Sequence, residues 1–207
     1  MNRLGFLLAR SFRQEDRLQS LSCPAGEIAA LLHQKTIALV GNARRAGPAG
    51  QGAAIDAADL VIRLNRAPIP APESHGRRTD ILAVAVGLSG ADLARIRPGR
   101  IFWMSHKRKR LSWTVAQSPG FHLPSLDAFH RLQATLCAPP STGVLVIDLL
   151  ARSDAAKIAL YGFDFFASLS LSGSRNAAQV PHDFAAERRF VEDLLSRDPR
   201  FQLIAAS

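Results

Sequence analysis

The feature that most constrains this chain is a series of short apolar runs, each ended by turn-forming residues and separated from the next by a helical pattern. Thr36-Ile37-Ala38-Leu39-Val40 is closed by Gly41-Asn42, and similar runs occupy residues 59–64, 81–86, 100–104, 157–161 and 201–204. Runs that are apolar at successive rather than alternate positions describe strands buried on both faces. Helical patterns fall at 27–33, 90–96, 125–136, 143–152 and 183–196, the fourth opened by the helix-start pair Ser141-Thr142. Strands alternating with helices predict an α/β sandwich whose mostly parallel sheet is flanked by helices, with a ligand beyond the carboxyl ends of the strands. Residues 42–52 are too rich in Gly, Ala and Arg to read as either element, and 168–180 reads as polar loop. No repeat or linker divides the chain, so the expectation is a single domain over 36–207 behind an N-terminal helical segment, 1–35.

Composition narrows the class. With 207 residues, 47% of them hydrophobic and 21% charged, a wholly disordered chain is excluded. Cys23 and Cys137 match no metal-ligand spacing and make no disulfide framework, which points to a reducing compartment. The net charge of +9 favours anionic partners, but 22 Arg against 4 Lys in an alanine-rich chain also fits a GC-rich genome. Arg3, Arg10, Arg13 and Arg17 surround the apolar run Leu4-Gly5-Phe6-Leu7-Leu8-Ala9, which is far below the ~20 residues of a membrane span. It reads as an ordinary first helix ahead of a membrane-surface helix, and the expected location is the cytoplasm.

Three loops at strand ends have the composition of ligand sites. Gly41-Asn42, with Gly47, Gly50 and Gly52 behind it, would let backbone amides approach a phosphate, or form a plain turn. Asn65, in Arg63-Leu64-Asn65-Arg66-Ala67-Pro68, offers a donor and an acceptor to a base or ribose, or serves the turn. Pro139-Pro140-Ser141-Thr142-Gly143 precedes a helix, where free amides suit an anion and a hydroxyl suits a cap. His182 stands at a helix start with Glu187 five positions on, a spacing that does not align the two on one helical face. Near neutral pH, histidine is the default proton acceptor for a hydroxyl nucleophile. No His, Cys and carboxylate spacing suggests a metal.

Taken in order, these segments resemble the animal-type sialyltransferase family, glycosyltransferases that use CMP-sialic acid. Residues 37–42, 55–56, 59–68 and 76–80 look like its large motif, Pro140-Ser141-Thr142-Gly143 with Tyr161-Gly162-Phe163 like its small motif, and His182 with Glu187 like its very small motif. The resemblance implies a GT-A-like, Rossmann-type α/β fold. It implies a CMP-sugar donor, carrying sialic acid or Kdo, held by Gly41, Asn42, Asn65, Ser141, Thr142, Gly143, Tyr161 and Gly162 without metal or other cofactor. His182 would be the base that deprotonates the acceptor hydroxyl, with inversion at the anomeric carbon. Two family features are missing. The cysteine pair is replaced near Thr36 and near Ser153 or Asp154, and no His or Tyr occurs in 164–181. A relative that keeps the nucleotide pocket without sugar transfer is the alternative. The basic run His106-Lys107-Arg108-Lys109-Arg110, near Trp103 and Trp113, is expected to be a solvated loop, to hold an anionic glycan or glycolipid acceptor, or to rest on the inner membrane leaflet. Specific nucleic-acid binding is the weaker reading of the same run.

Overall fold

The computed structural model describes residues 1–43, 50–164 and 181–204. Gly47 and the stretch 168–180 lie outside them. The elements run α1 (Arg3–Ser11), α2 (Glu15–Gln19), α3 (Ala25–Leu32), β1 (Thr36–Val40), α4 (Gln51–Asp56), β2 (Leu60–Leu64), α5 (Pro72–His75), β3 (Ile81–Val84) and α6 (Gly90–Ile96). They continue with β4 (Arg100–Trp103), a 3-10 turn (Arg108–Arg110), α7 (Trp113–Ala116), α8 (Leu126–Leu136), α9 (Thr142–Ala151), β5 (Lys157–Tyr161), α10 (Phe184–Arg197) and β6 (Phe201–Ile204).

The six strands form one sheet in the order β4-β3-β2-β1-β5-β6, and every pairing is parallel. Ala38 lies between Val61 on β2 and Ala159 on β5, so β1 is central. Because the strands are parallel, all carboxyl ends meet at one edge. The order reverses at β1, whose neighbours β2 and β5 lead to opposite sides, and that reversal opens a crevice outside the ends of β1 and β5.

Both sheet faces are covered, as continuous apolar strands require. Ile37, Leu39, Ile62, Leu64, Ile158 and Leu160 pack with α3, α8, α9 and α10. On the other face, Leu82, Val84, Ile101 and Trp103 pack with Phe6 and Ala9 of α1, Leu18 of α2 and Val115 of α7. The N-terminal helices thus share the core of the sheet. The helix α9 is buried nearly all round, which fits its run of apolar residues and places it firmly against the sheet.

The boundaries follow local chemistry. Asp59, expected in the second strand, instead uses its carboxylate to accept from the Thr36 amide and hydroxyl at 2.8 Å, and β2 starts one residue later. The third strand stops at Val84 rather than at residue 86, because the Asn65 side chain accepts from the Ala85 amide there. Within 42–52, where neither element was expected, α4 begins at Gln51. A Cβ on Gly52 would lie 2.0 Å from the Pro72 carbonyl oxygen, so close backbone contact with α5 holds this short helix.

The large-motif residues outside the edge form a polar network around the buried Arg63. Arg63 is fully enclosed and donates to the carbonyls of His75 (2.6 Å) and Arg78 (2.7 Å); burial lowers its pKa to about 10. Asp56 accepts from the amides of Arg77 and Arg78, and Asp80 accepts from the Val61 amide and from Arg78. These residues brace β2 and β3. The basic run is likewise divided: Arg108 is buried in an ion pair with Glu15 of α2 at 2.6 Å and donates to the Pro124 carbonyl, so it belongs to the scaffold and not to a solvated loop.

Candidate functional site

The carboxyl edge gathers the residues singled out by sequence in unequal ways. At the crevice between β1 and β5, the Gly41 amide donates to the Tyr161 carbonyl and the Ala43 amide to the Gly162 carbonyl. A Cβ on Gly41 would lie 2.4 Å from the Gly162 oxygen, and Gly162 itself has a left-handed φ of 64°. Both glycines are therefore required by the close passage of two backbones. The Tyr161 ring packs with Ala38, Val40, Ile55 and Val61 on the face opposite α9, and burial raises the pKa of its phenol. Its ring thus lies across the sheet from Ser141, Thr142 and Gly143.

The asparagines hold neighbouring strand ends. Asn42 Nδ2 donates to the Leu64 carbonyl at 3.2 Å. Asn65 adopts a left-handed φ of 53°, which asparagine tolerates, and spends Oδ1 on the Ala85 amide. Its Nδ2 makes no hydrogen bond among the described residues, leaving a donor pair at the edge. Leu64 links this corner to α9, since a Cβ on Gly143 would meet Leu64 Cδ1 at 3.5 Å and Phe163 Cε1 at 2.9 Å. Gly143 thus lets the start of α9 press against both strand ends.

At that helix start Ser141 is the N-cap, its Oγ accepting from the Val144 amide. The same hydroxyl donates to Glu187 Oε2 at 2.8 Å, while the Ser141 amide donates to Oε1 at 2.6 Å. Glu187 therefore pairs with Ser141, not with His182, and clamps α10 to α9. Thr142 and Gly143 occupy the first turn, where helical amides have no intrahelical acceptor. Nine-tenths and more of Glu187 is enclosed, and desolvation outweighs the two Ser141 hydrogen bonds to raise its pKa to about 7.

His182 lies one residue before the α10 cap, Asp183, whose side chain accepts from the Ala186 amide. Its Nδ1 is 2.7 Å from the Pro139 carbonyl oxygen. A carbonyl only accepts, so Nδ1 carries the proton and Nε2 presents a lone pair. Desolvation lowers the histidine pKa, the Pro139 hydrogen bond opposes this, and the charge of Lys107 lowers it again. Together, the arrangement favours a neutral imidazole, held by the carbonyl two residues before the α9 cap, whose Nε2 has no hydrogen bond among the described residues. An apolar pocket lined by Met104, His106, Phe129, Leu145 and Asp148 lies farther along the edge, against α8 and α9. Among the described residues, no three His, Cys, Asp or Glu side chains converge as a metal site.

Two contributors escaped the sequence. The partner of Glu187 stands 46 positions away, beyond any local pattern. The effect of Lys107 on His182 had a signal, the basic run, but nothing in the sequence tied that run to the histidine.

The Glu187 clamp carries a pH signature. Its pKa in the folded protein is about 7 against 4.5 for the ordinary carboxyl, so the native state binds the extra proton between those values. Its contribution is complete below pH 4.5 and is lost as pH rises through 7, an effect of about 3 kcal/mol. Burial works in the opposite sense on His122, which falls to about 4 from 6.5 and loses stability as pH drops through that interval. The two trends offset each other in the native protein. Comparing urea unfolding of the native protein and Glu187→Gln from pH 4.5 to 8 isolates the first: the variant should gain about 3 kcal/mol relative to the native protein. A constant difference would remove the titration from Glu187.

No family model matches the sequence. The fold is similar to that of a mammalian sialyltransferase solved with Gal-beta-1-3GalNAc-ortho-nitrophenol, with a TM-score of 0.66 and 16% identity over 98% of this chain and 85% of that one. It is also similar to the sialyltransferase CstII from Campylobacter jejuni, solved with the substrate analogue cytidine-5'-monophosphate, with a TM-score of 0.56 and 15% identity over 84% of this chain and 80% of that one. At such identities the likeness is one of fold, and it agrees with the single-domain α/β sandwich expected from the sequence. In sequence, the chain is 31% identical to the urease operon 23 kDa accessory protein of Rhizobium meliloti, over 79% of this chain and 90% of that protein. By that identity and that coverage, the chain belongs to the family of the urease operon 23 kDa accessory protein.

Proposed function

We propose that the protein is a metal-independent, inverting glycosyltransferase that moves sialic acid or a related acidic sugar such as Kdo from a CMP-activated donor to a glycan hydroxyl. The observation that carries this reading is the hydrogen bond from His182 Nδ1 to the carbonyl of Pro139, two residues before the α9 cap, which leaves Nε2 unprotonated. In the proposed reaction, Nε2 takes the acceptor proton as the hydroxyl oxygen forms a bond to the anomeric carbon. The bond from that carbon to the CMP phosphate breaks, and CMP leaves with the electron pair. The amides of Thr142 and Gly143 would receive the leaving phosphate, and Asn65 Nδ2 and Asn42 would hold the nucleoside part. Gly41 and Gly162 shape the crevice. The fold shared with sialyltransferases supports the same reading. Transfer assays with CMP-sialic acid and CMP-Kdo in EDTA, over a panel of glycan acceptors, test it. Donor consumption that depends on His182 is the expected result, and intact donor throughout would overturn it.

A second reading has its own support. The Ser141 amide and hydroxyl are both committed to Glu187, and the relative that defines the family is named as a urease operon accessory protein. On this reading the fold binds CMP or a related nucleotide without transferring a sugar, and serves a role accessory to urease. Nucleotide binding with no donor cleavage would favour it.

A further inference from the structure

Two features that the sequence presents separately, the N-terminal arginine-rich segment and the basic run, are neighbours in the fold. Arg10 of α1 donates from NH1 to the Leu111 carbonyl at 2.8 Å, and Glu15 of α2 is ion-paired with Arg108, so α1 and α2 are fastened to the 3-10 turn. Fastened in this way, α1 buries Phe6 and Ala9 and turns its other side outward. Leu4 is 65% exposed and Phe12 71% exposed, and Met1, Leu7 and Leu8 are exposed beside them. These five account for most of the large apolar side chains exposed among the described residues. The same α1, α2 and 3-10 segments carry the exposed cations Arg3, Arg13, Arg17, Lys109 and Arg110. Of the two nearby acids, Glu15 is taken by Arg108 and only Asp16 faces solvent.

We propose that this face of α1, with its cationic border, docks on an anionic lipid bilayer. An apolar stripe flanked by arginines suits the boundary between acyl chains and negatively charged headgroups, where both parts of the surface are satisfied together. A second copy of the chain suits it less. A two-fold contact would set the same patch against itself and bring Arg3, Arg13 and Arg17 of both copies together.

Co-sedimentation of the full chain with vesicles tests the surface without reference to activity. Binding is expected to vesicles of equal parts phosphatidylglycerol and phosphatidylcholine, to weaken in high salt, and to be slight on phosphatidylcholine alone. The double variants Leu4→Ser with Phe12→Ser, and Arg3→Gln with Arg13→Gln, alter exposed side chains only. Each should reduce binding by about tenfold or more at an unchanged urea midpoint. Several outcomes would overturn the proposal: no binding to the anionic vesicles, equal binding by all the variants, or retention on single-stranded nucleic acid instead of vesicles. A concentration-dependent dimer that Leu4→Ser with Phe12→Ser dissolves would also overturn it, by assigning the face to a second copy.

Discussion

Replacing His182 with alanine is expected to lower sugar transfer by on the order of 100-fold or more while leaving CMP affinity nearly unchanged. The split follows from geometry. The imidazole is oriented through Nδ1 by the Pro139 carbonyl, and in the proposed reaction its Nε2 would take a proton from the acceptor, a task that arises only during reaction. The nucleotide, in contrast, would be held by amides and amide side chains that the substitution does not touch. A second readout follows from electrostatics. Because burial and Lys107 hold the histidine below its ordinary value of 6.5, the acid side of the pH profile should lie below that pH. Neutralising the charge with Lys107→Gln should move it upward. Unchanged turnover in His182→Ala would remove the residue from the mechanism.

Gly41→Ala should be among the most damaging single changes to the fold, at about 3 kcal/mol. The added methyl would lie 2.4 Å from the Gly162 oxygen, whose position is fixed because it accepts from the Ala43 amide. Relief requires β1 and β5 to separate at the crevice, which disturbs the paired ends of both strands. Gly87→Ala is a suitable control, since a Cβ there meets nothing within 4 Å. Urea unfolding should show a large loss for the first variant and almost none for the second. A loss below about 0.5 kcal/mol at Gly41 would mean that the two backbones can part easily.

What was legible in the sequence was what repeats locally. All six strands and the longer helices were readable because burial on both faces leaves continuous apolar runs, and because caps such as Ser141 mark helix starts. The short helices α4, α5 and α7 were not, since four to six residues show no helical period and are held by contacts such as Gly52 against Pro72. Within the candidate site, chemistry was legible by residue type but not by partner. The sequence named Ser141, His182 and Glu187, yet gave no means of knowing that Glu187 serves Ser141 or that His182 leans on Pro139. It also placed Tyr161 among the binding residues, where the strand alternation turns its ring to the opposite face.

The most direct measurement is a calorimetric titration of the protein with CMP in the presence of EDTA, with UMP and AMP as controls. Selective binding of CMP, weakened by substitution of Asn65, is the result expected from a pocket built on Asn42, Asn65 and the first turn of α9. No heat with CMP at millimolar concentration, or equal binding of all three nucleotides, would contradict it.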